Sequence, residues 1–199
     1  MLKAVSLAVA PEGTWQKTAL KPPNAWVVLL FSLLPLVVAA LAVEGYSLQR
    51  LGEAFGEMNR RPVSLNRVIK YEVFYGVASL LVIFFGATLL KNVGASTFNL
   101  RCNYSICFVL IAFAYTPLFL VKFLDAVPAI NTWVCWAIGI TLSLRILYHG
   151  VGAWLKPEQT KGFGLLIMSF IYILVVSGLV HFAATQILQG RVLKHLFES

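Results

Sequence analysis

The sequence predicts an all-α, polytopic membrane protein with five transmembrane helices and short interfacial amphipathic helices. Two observations lead there. Of the 199 residues, 59% are apolar and only 12% are charged, about half the charge of an ordinary soluble domain. A soluble fold of this size has no way to bury that much apolar surface behind so few charges. The apolar residues are also gathered into five runs, each close to the ~20 residues a spanning helix needs. Strands of a membrane barrel would show ~10-residue segments of alternating polarity instead, and the sequence lacks them. About 200 residues leave room for one domain, 1–199.

The spans are predicted at 26–43, 73–90, 105–124, 129–148 and 163–184. In lipid, backbone groups must pair within their own segment, so each run is a helix. Before the first span, the run from Ala4 to Val9 is too short for a signal peptide and reads as a membrane-grazing helix that stops at Pro11. The third and fourth spans are joined only by Asp125-Ala126-Val127-Pro128, which forces an antiparallel hairpin. Turn formers Gly94, Ser96 and Asn99 separate the second span from the third, and Pro157 separates the fourth from the fifth.

The longest connection, 44–72, is not featureless. Leu48, Leu51, Phe55 and Met58 recur at steps of three and four, which predicts an interfacial amphipathic helix over 47–59. Arg60-Arg61-Pro62 ends it, and Ser64 is placed to cap the helix leading into the second span.

The formal charge of +8 is explained by basic residues at the ends of apolar runs, facing lipid headgroups, so no nucleic-acid partner is expected. Orientation does not follow from charge. Lys3, Lys17, Lys21, Lys91, Arg101, Arg145, Lys156 and Lys161 fall on the amino-terminal side, and the other eight basic residues fall opposite. Cys102, Cys107 and Cys135 form no C-x-x-C pair and read as small apolar side chains.

Catalytic signatures are missing. There is no G-x-S-x-G, no H-E-x-x-H, no phosphate loop and no pair of carboxylates within a predicted span. A charge at the bilayer centre costs about 2.5–3.5 kcal/mol on insertion scales and is a functional suspect by default. Here Lys122 and Arg145 lie within snorkelling reach of span ends, Asp125 is placed to pair with Lys122, and His181 is the deepest ionisable group. An enzyme would require His149 and His181 to converge. No cofactor and no metal are expected.

Prolines supply the remaining candidate. Pro35 and Pro117 each remove a backbone donor inside a span. Kinks in the first and third spans would open a wedge between them, lined by Tyr115, Thr116 and Trp133, with the hydroxyl of Thr116 placed to satisfy a freed carbonyl. Gly139 and Ser143 stand four apart, as do Ala112 and Thr116. Such spacing of small residues lets helices approach closely and marks the third and fourth spans as neighbours. Tyr115, Thr116, Pro117, Trp133, Gly139 and Ser143 are thus the candidate ligand or partner residues.

Several short strings occur together in order. They are Pro11-Glu12-Gly13-Thr14-Trp15, Leu34-Pro35-Leu36, Ser96-Thr97-Phe98-Asn99, Ala114-Tyr115-Thr116-Pro117-Leu118, Val127-Pro128, Leu147-Tyr148-His149-Gly150, Lys156-Pro157-Glu158 and Lys161-Gly162-Phe163-Gly164. In order and spacing the chain resembles the Yip family of Ypt/Rab-interacting membrane proteins, in particular its short bacterial branch. It departs from the pattern at Gly150-Val151-Gly152, where the family usually has glycine-leucine-proline, and at His149. The resemblance implies five helices, a cytosolic amino terminus and, for a bacterial member, the inner membrane. It also implies work by organising partners rather than by catalysis. The sequence shows no long cytosolic domain before the first span, so binding of a Rab-type GTPase is not expected. The reading is a non-enzymatic scaffold or accessory subunit of a membrane assembly, touching lipid, other integral membrane proteins or itself. The alternative is a small-solute transporter or lipid-handling protein that uses the proline wedge.

Overall fold

Each of the five apolar runs is a helix in the computed structural model, which describes residues 23–52, 63–99, 103–125, 127, 130–155 and 159–189. We number the helices α1 (Ala25–Leu51), α2 (Leu65–Ser96), α3 (Tyr104–Leu124), α4 (Thr132–Leu155) and α5 (Gln159–Gln189). All five contain stretches long and apolar enough to cross a membrane. The membrane-grazing helix before Pro11 and residues 53–59 of the expected interfacial helix lie outside the described residues.

Helix ends follow local chemistry. The side chains of Asn24, Asn103 and Asn131 accept from the backbone N–H two residues on, capping α1, α3 and α4. Ser64 takes the cap position of α2, but its hydroxyl makes no capping bond. Instead its carbonyl accepts from the N–H groups of Arg67 and Val68. α1 ends at Gly52, whose φ of 72° is left-handed and suits a residue without a Cβ.

α1 and α2 are longer than the spans read from hydropathy. α1 continues through Ser47 to Leu51, so the beginning of the expected interfacial helix belongs to the span itself. α2 starts eight residues before the predicted 73. A hydropathy run stops at its first charged residue, whereas the helix passes through Glu44 and Glu72 because both side chains turn inward.

Pro35 is accommodated by a single π turn at Leu29–Leu33, after which α1 resumes with the proline in its first turn. The wider turn avoids the clash of the ring with the preceding carbonyl, and Pro35 itself is exposed. In α3, Pro117 is carried inside the helix, and its carbonyl accepts from Val121 N–H. The helix loosens at Val121 and finishes in one short turn, Lys122–Asp125.

α3 is the centre of the bundle. Of its apolar window 83% is buried, against 33–44% for the other four. Every residue from Cys107 to Phe119 is buried. α3 packs on α1, α2 and α4, while α5 lies against α2 and α4. Single hydrogen bonds mark the seams. Ala25 N–H donates to Ser105 Oγ (3.1 Å), Tyr172 Oη to the Val82 carbonyl (2.8 Å) and Trp136 Nε1 to Ser177 Oγ (3.2 Å).

The hairpin of α3 and α4 closes on Gly139. A Cβ there would stand 2.9 Å from Leu118 Cδ2 and 3.3 Å from Leu118 Cα, so only glycine allows this approach. Gly152, further along the same helix, has no neighbour within 4 Å of a Cβ. Gly139→Leu is therefore expected to lower stability in detergent by ~1–3 kcal/mol through overpacking. Gly152→Ala should leave the unfolding midpoint unchanged or raise it slightly.

Candidate functional site

α1, α3 and α5 finish at one end of the bundle, where α2 and α4 begin. That end holds a buried charged cluster; the other buried polar side chains among the described residues are hydroxyls and His181. Glu44 stands seven residues before the last residue of α1, and Glu72 seven residues after the first of α2. Both are about 10 Å in from their helix ends at 1.5 Å per residue. α1, with 27 residues, is about 40 Å long, so the cluster occupies the outer third of the bundle.

Lys122 Nζ lies 2.7 Å from Glu44 Oε1. Tyr71 Oη donates to the same oxygen (2.8 Å) and accepts from the lysine (2.8 Å), closing a triangle. The ammonium also sits 4.1 Å from the ring centroid of Tyr75 and 5.3 Å from that of Tyr71, within cation–π range. Glu44 and Lys122 are each 3% exposed. A Cβ on Gly45 would come within 3.3 Å of Glu72 Oε1, so the second carboxylate lies directly over the α1 backbone beside Glu44. Three helices thus contribute to one charge-assisted constellation, its donors converging on one carboxylate oxygen.

This corrects the expected position of Lys122. It does not snorkel to the interface but turns inward, and its carboxylate partner is Glu44, 78 residues away in sequence. The side chain of Asp125 lies outside the described residues. The expectation that charge is confined to span ends is likewise corrected. Glu44 and Glu72, which bound the connection expected over 44–72, are both helical and buried.

His181 of α5 lies beside the cluster. Its ring meets Trp133 edge-on at 4.7 Å. Its Nε2 is buried and has no hydrogen-bond partner among the described residues. A cleft beside it is lined by Tyr75, Lys122, Thr132, Cys135, Trp136 and His181, together with Leu118 and Val121. Its free volume of about 10 Å³ is about what a single water needs. His149 stands sixteen residues along α4 from Trp133, about 24 Å, so the two histidines do not converge. Among the described residues no three His, Cys, Asp or Glu side chains are grouped to hold a metal. Cys107 and Cys135 are buried thiols.

The residues singled out around the prolines are placed as follows. Tyr115 is fully enclosed, its hydroxyl a long 3.5 Å from Ser79 Oγ on α2. Thr116 donates to the Ala112 carbonyl of its own helix (2.9 Å), and Pro117 is buried with it. Ser143 donates to the carbonyl of Gly139 (2.8 Å), in the seam against α3. Trp133 is 43% exposed, against His181 and Trp136. Five of the six are buried on α3 or α4, with Tyr115 reaching toward α2 and Gly139 packed against α3, and Trp133 stands apart at the polar end. α1 turns Leu33, Leu36, Val37 and Ala40 inward.

The polar cluster is what sequence reasoning missed, and a signal for it exists. Val37, Ala40, Glu44 and Leu48 follow one another at steps of three and four, as do Val68, Glu72, Tyr75 and Ser79. All eight side chains are buried. The carboxylates continue inward-facing stripes that run past the ends of the predicted spans.

Five helices long and apolar enough to cross a membrane, the third buried among its neighbours, define a polytopic integral membrane protein. The family model described as Yip1 domain matches residues 5–180, and the chain belongs to that family. No curated protein and no solved structure matches it.

Lys122→Met leaves the Glu44 carboxylate without its ammonium inside the bundle. It is expected to cost about 3–5 kcal/mol. In the double variant Glu44→Gln/Lys122→Met the buried charges go together, and most of that loss should be recovered. Detergent unfolding of the two single variants and the double variant measures the coupling.

Proposed function

We propose that this Yip1-family protein is a non-enzymatic scaffold or accessory subunit of a larger membrane assembly. It engages other integral membrane proteins, or a second copy of itself, through its outward helix faces. The observation that carries this reading is how the interior is used. α3 is buried over most of its length, and Glu44, Lys122 and Tyr71 are bonded to one another. The cleft beside them has room for about one water. What the molecule offers to its surroundings is an apolar outer surface that includes Val77, Phe85, Val134, Ile138 and Phe182.

Family resemblance adds a cytosolic amino terminus and a bacterial inner-membrane location to the proposal. Charge does not choose the orientation. Setting aside Lys122, which is buried, and Arg145, which lies ten residues inside α4, leaves seven basic residues on each side, so charge sets no topology. Binding of a Rab-type GTPase is not part of the proposal.

One observation favours a second reading, a transporter of small solutes or a lipid-handling protein. His181 and Lys122 share a cleft next to buried carboxylates, and ionisable groups inside a membrane protein often mark a pathway. Liposomes containing the protein would then show solute flux or lipid scrambling above protein-free controls.

For the first reading, purification in mild detergent is expected to bring down a defined membrane-protein partner, or a defined oligomer of the chain, in fixed proportion. A monodisperse monomer from gently solubilised native membranes would contradict it.

A further inference from the structure

α4 carries a charge that the bundle does not use. Arg145 is exposed, and no ion pair or hydrogen bond holds it among the described residues. Hydropathy placed it one turn from the end of a span closing at residue 148, but α4 runs on to Leu155. Arg145 is thirteen residues from the first residue of the helix and ten from the last. The nearer end is therefore about 15 Å away, farther than an extended arginine side chain reaches.

Packing gives the same depth independently. Gly139 fixes the register of α4 against Leu118 of the antiparallel α3. Six residues on, about 9 Å along the axis, Arg145 is level with the middle of α3. Arg145 thus stands near mid-bundle on the outward side of α4, in a stripe with Val134, Ile138, Thr141 and Tyr148, all exposed. Charged side chains at such depth face a protein interior or a counter-charge rather than hydrocarbon.

We propose that this face of α4 docks a transmembrane helix of a different membrane protein, one that carries an aspartate or glutamate within its span to pair with Arg145. Charge complementarity selects the partner. Among its described residues a second copy of the chain offers no such group: Glu44 and Glu72 are buried toward the end of the bundle where α1 finishes, and Asp125 closes α3 at that same end. A symmetric dimer on this face would set the two arginines against each other. This inference rests on the accessory-subunit reading and names the contact face and its chemistry.

The test uses the full-length chain in its native membrane, with a photo-crosslinking phenylalanine analogue placed singly at Thr141 or Tyr148 on α4, or at Val77 or Phe85 on α2. The expected result is a protein adduct from the α4 positions. It is lost on Arg145→Leu and kept on Arg145→Lys. The captured protein carries a mid-span carboxylate whose amide replacement abolishes the adduct equally. An α4 adduct that is indifferent to Arg145→Leu, that is a second copy of the chain, or that consists of lipid alone overturns the proposal. In the last case Arg145 is held by an anionic headgroup. Adducts from Val77 or Phe85 alone would sink this inference while leaving the scaffold reading standing, and no protein adduct from any position would sink both. Arg145 is exposed, so Arg145→Leu should unfold at the unchanged or a higher temperature, and lost crosslinking then reports the interface rather than the fold.

Discussion

A lysine ammonium and a glutamate carboxylate meet inside an apolar bundle, and much of the architecture can be understood as the means of keeping them there. Glu44 and Lys122 belong to helices separated by the whole of α2 in sequence. Removing either charge from water is expensive, and the cost is offset only when geometry is close and the remaining donors are satisfied. Tyr71 supplies the third member of the triangle, and the ring of Tyr75 covers the ammonium. α1, α2 and α3 are therefore tied at one end by groups whose separation breaks a buried ion pair and leaves the Glu44 carboxylate without its ammonium. Lipid tails are as apolar as leucine, so burial alone gives little reason for helices to associate. A pair of this kind adds specificity of arrangement where the hydrophobic effect does not.

The second constraint is the close approach of α3 and α4. The short linker makes them antiparallel neighbours, and Gly139 lets the α4 backbone settle on Leu118. With α4 on one flank and α1 and α2 on the others, α3 has little surface left for lipid. The apolar windows of the outer helices are only 33–44% buried, as suits lipid-facing helices. In the scaffold reading proposed above, recognition takes place at the periphery, and the depth of Arg145 marks the face of α4 for it.

The number, type and order of the helices were legible in the amino-acid pattern, because a bilayer imposes both length and apolarity on anything that crosses it. The neighbourhood of the third and fourth spans was legible for the same kind of reason, a linker too short to allow anything else. Helix ends were not. Hydropathy treats Glu44 and Glu72 as boundaries, although both continue stripes of inward-facing residues. Lys122 was misplaced because a lysine near a span end usually snorkels, and nothing local to it reveals a carboxylate 78 residues away. The same shortening of α4 hid the depth of Arg145. Pro35 and Pro117 each lack a backbone donor, but only Pro35 follows an irregular turn, and α3 continues through Pro117. The ring of Pro35 is exposed after its π turn, and Pro117 lies within close packing.

The arrangement stands on the distance between two atoms. With Lys122 labelled by ¹⁵N at Nζ and Glu44 by ¹³C at its carboxylate, a dipolar-recoupling measurement on the protein in lipid bilayers reads their separation directly. The bundle described here predicts strong coupling, matching an Nζ–Oε1 contact of 2.7 Å. Absence of coupling, with the lysine signal exchanging freely with bulk water, would show Lys122 at the membrane surface and contradict the account.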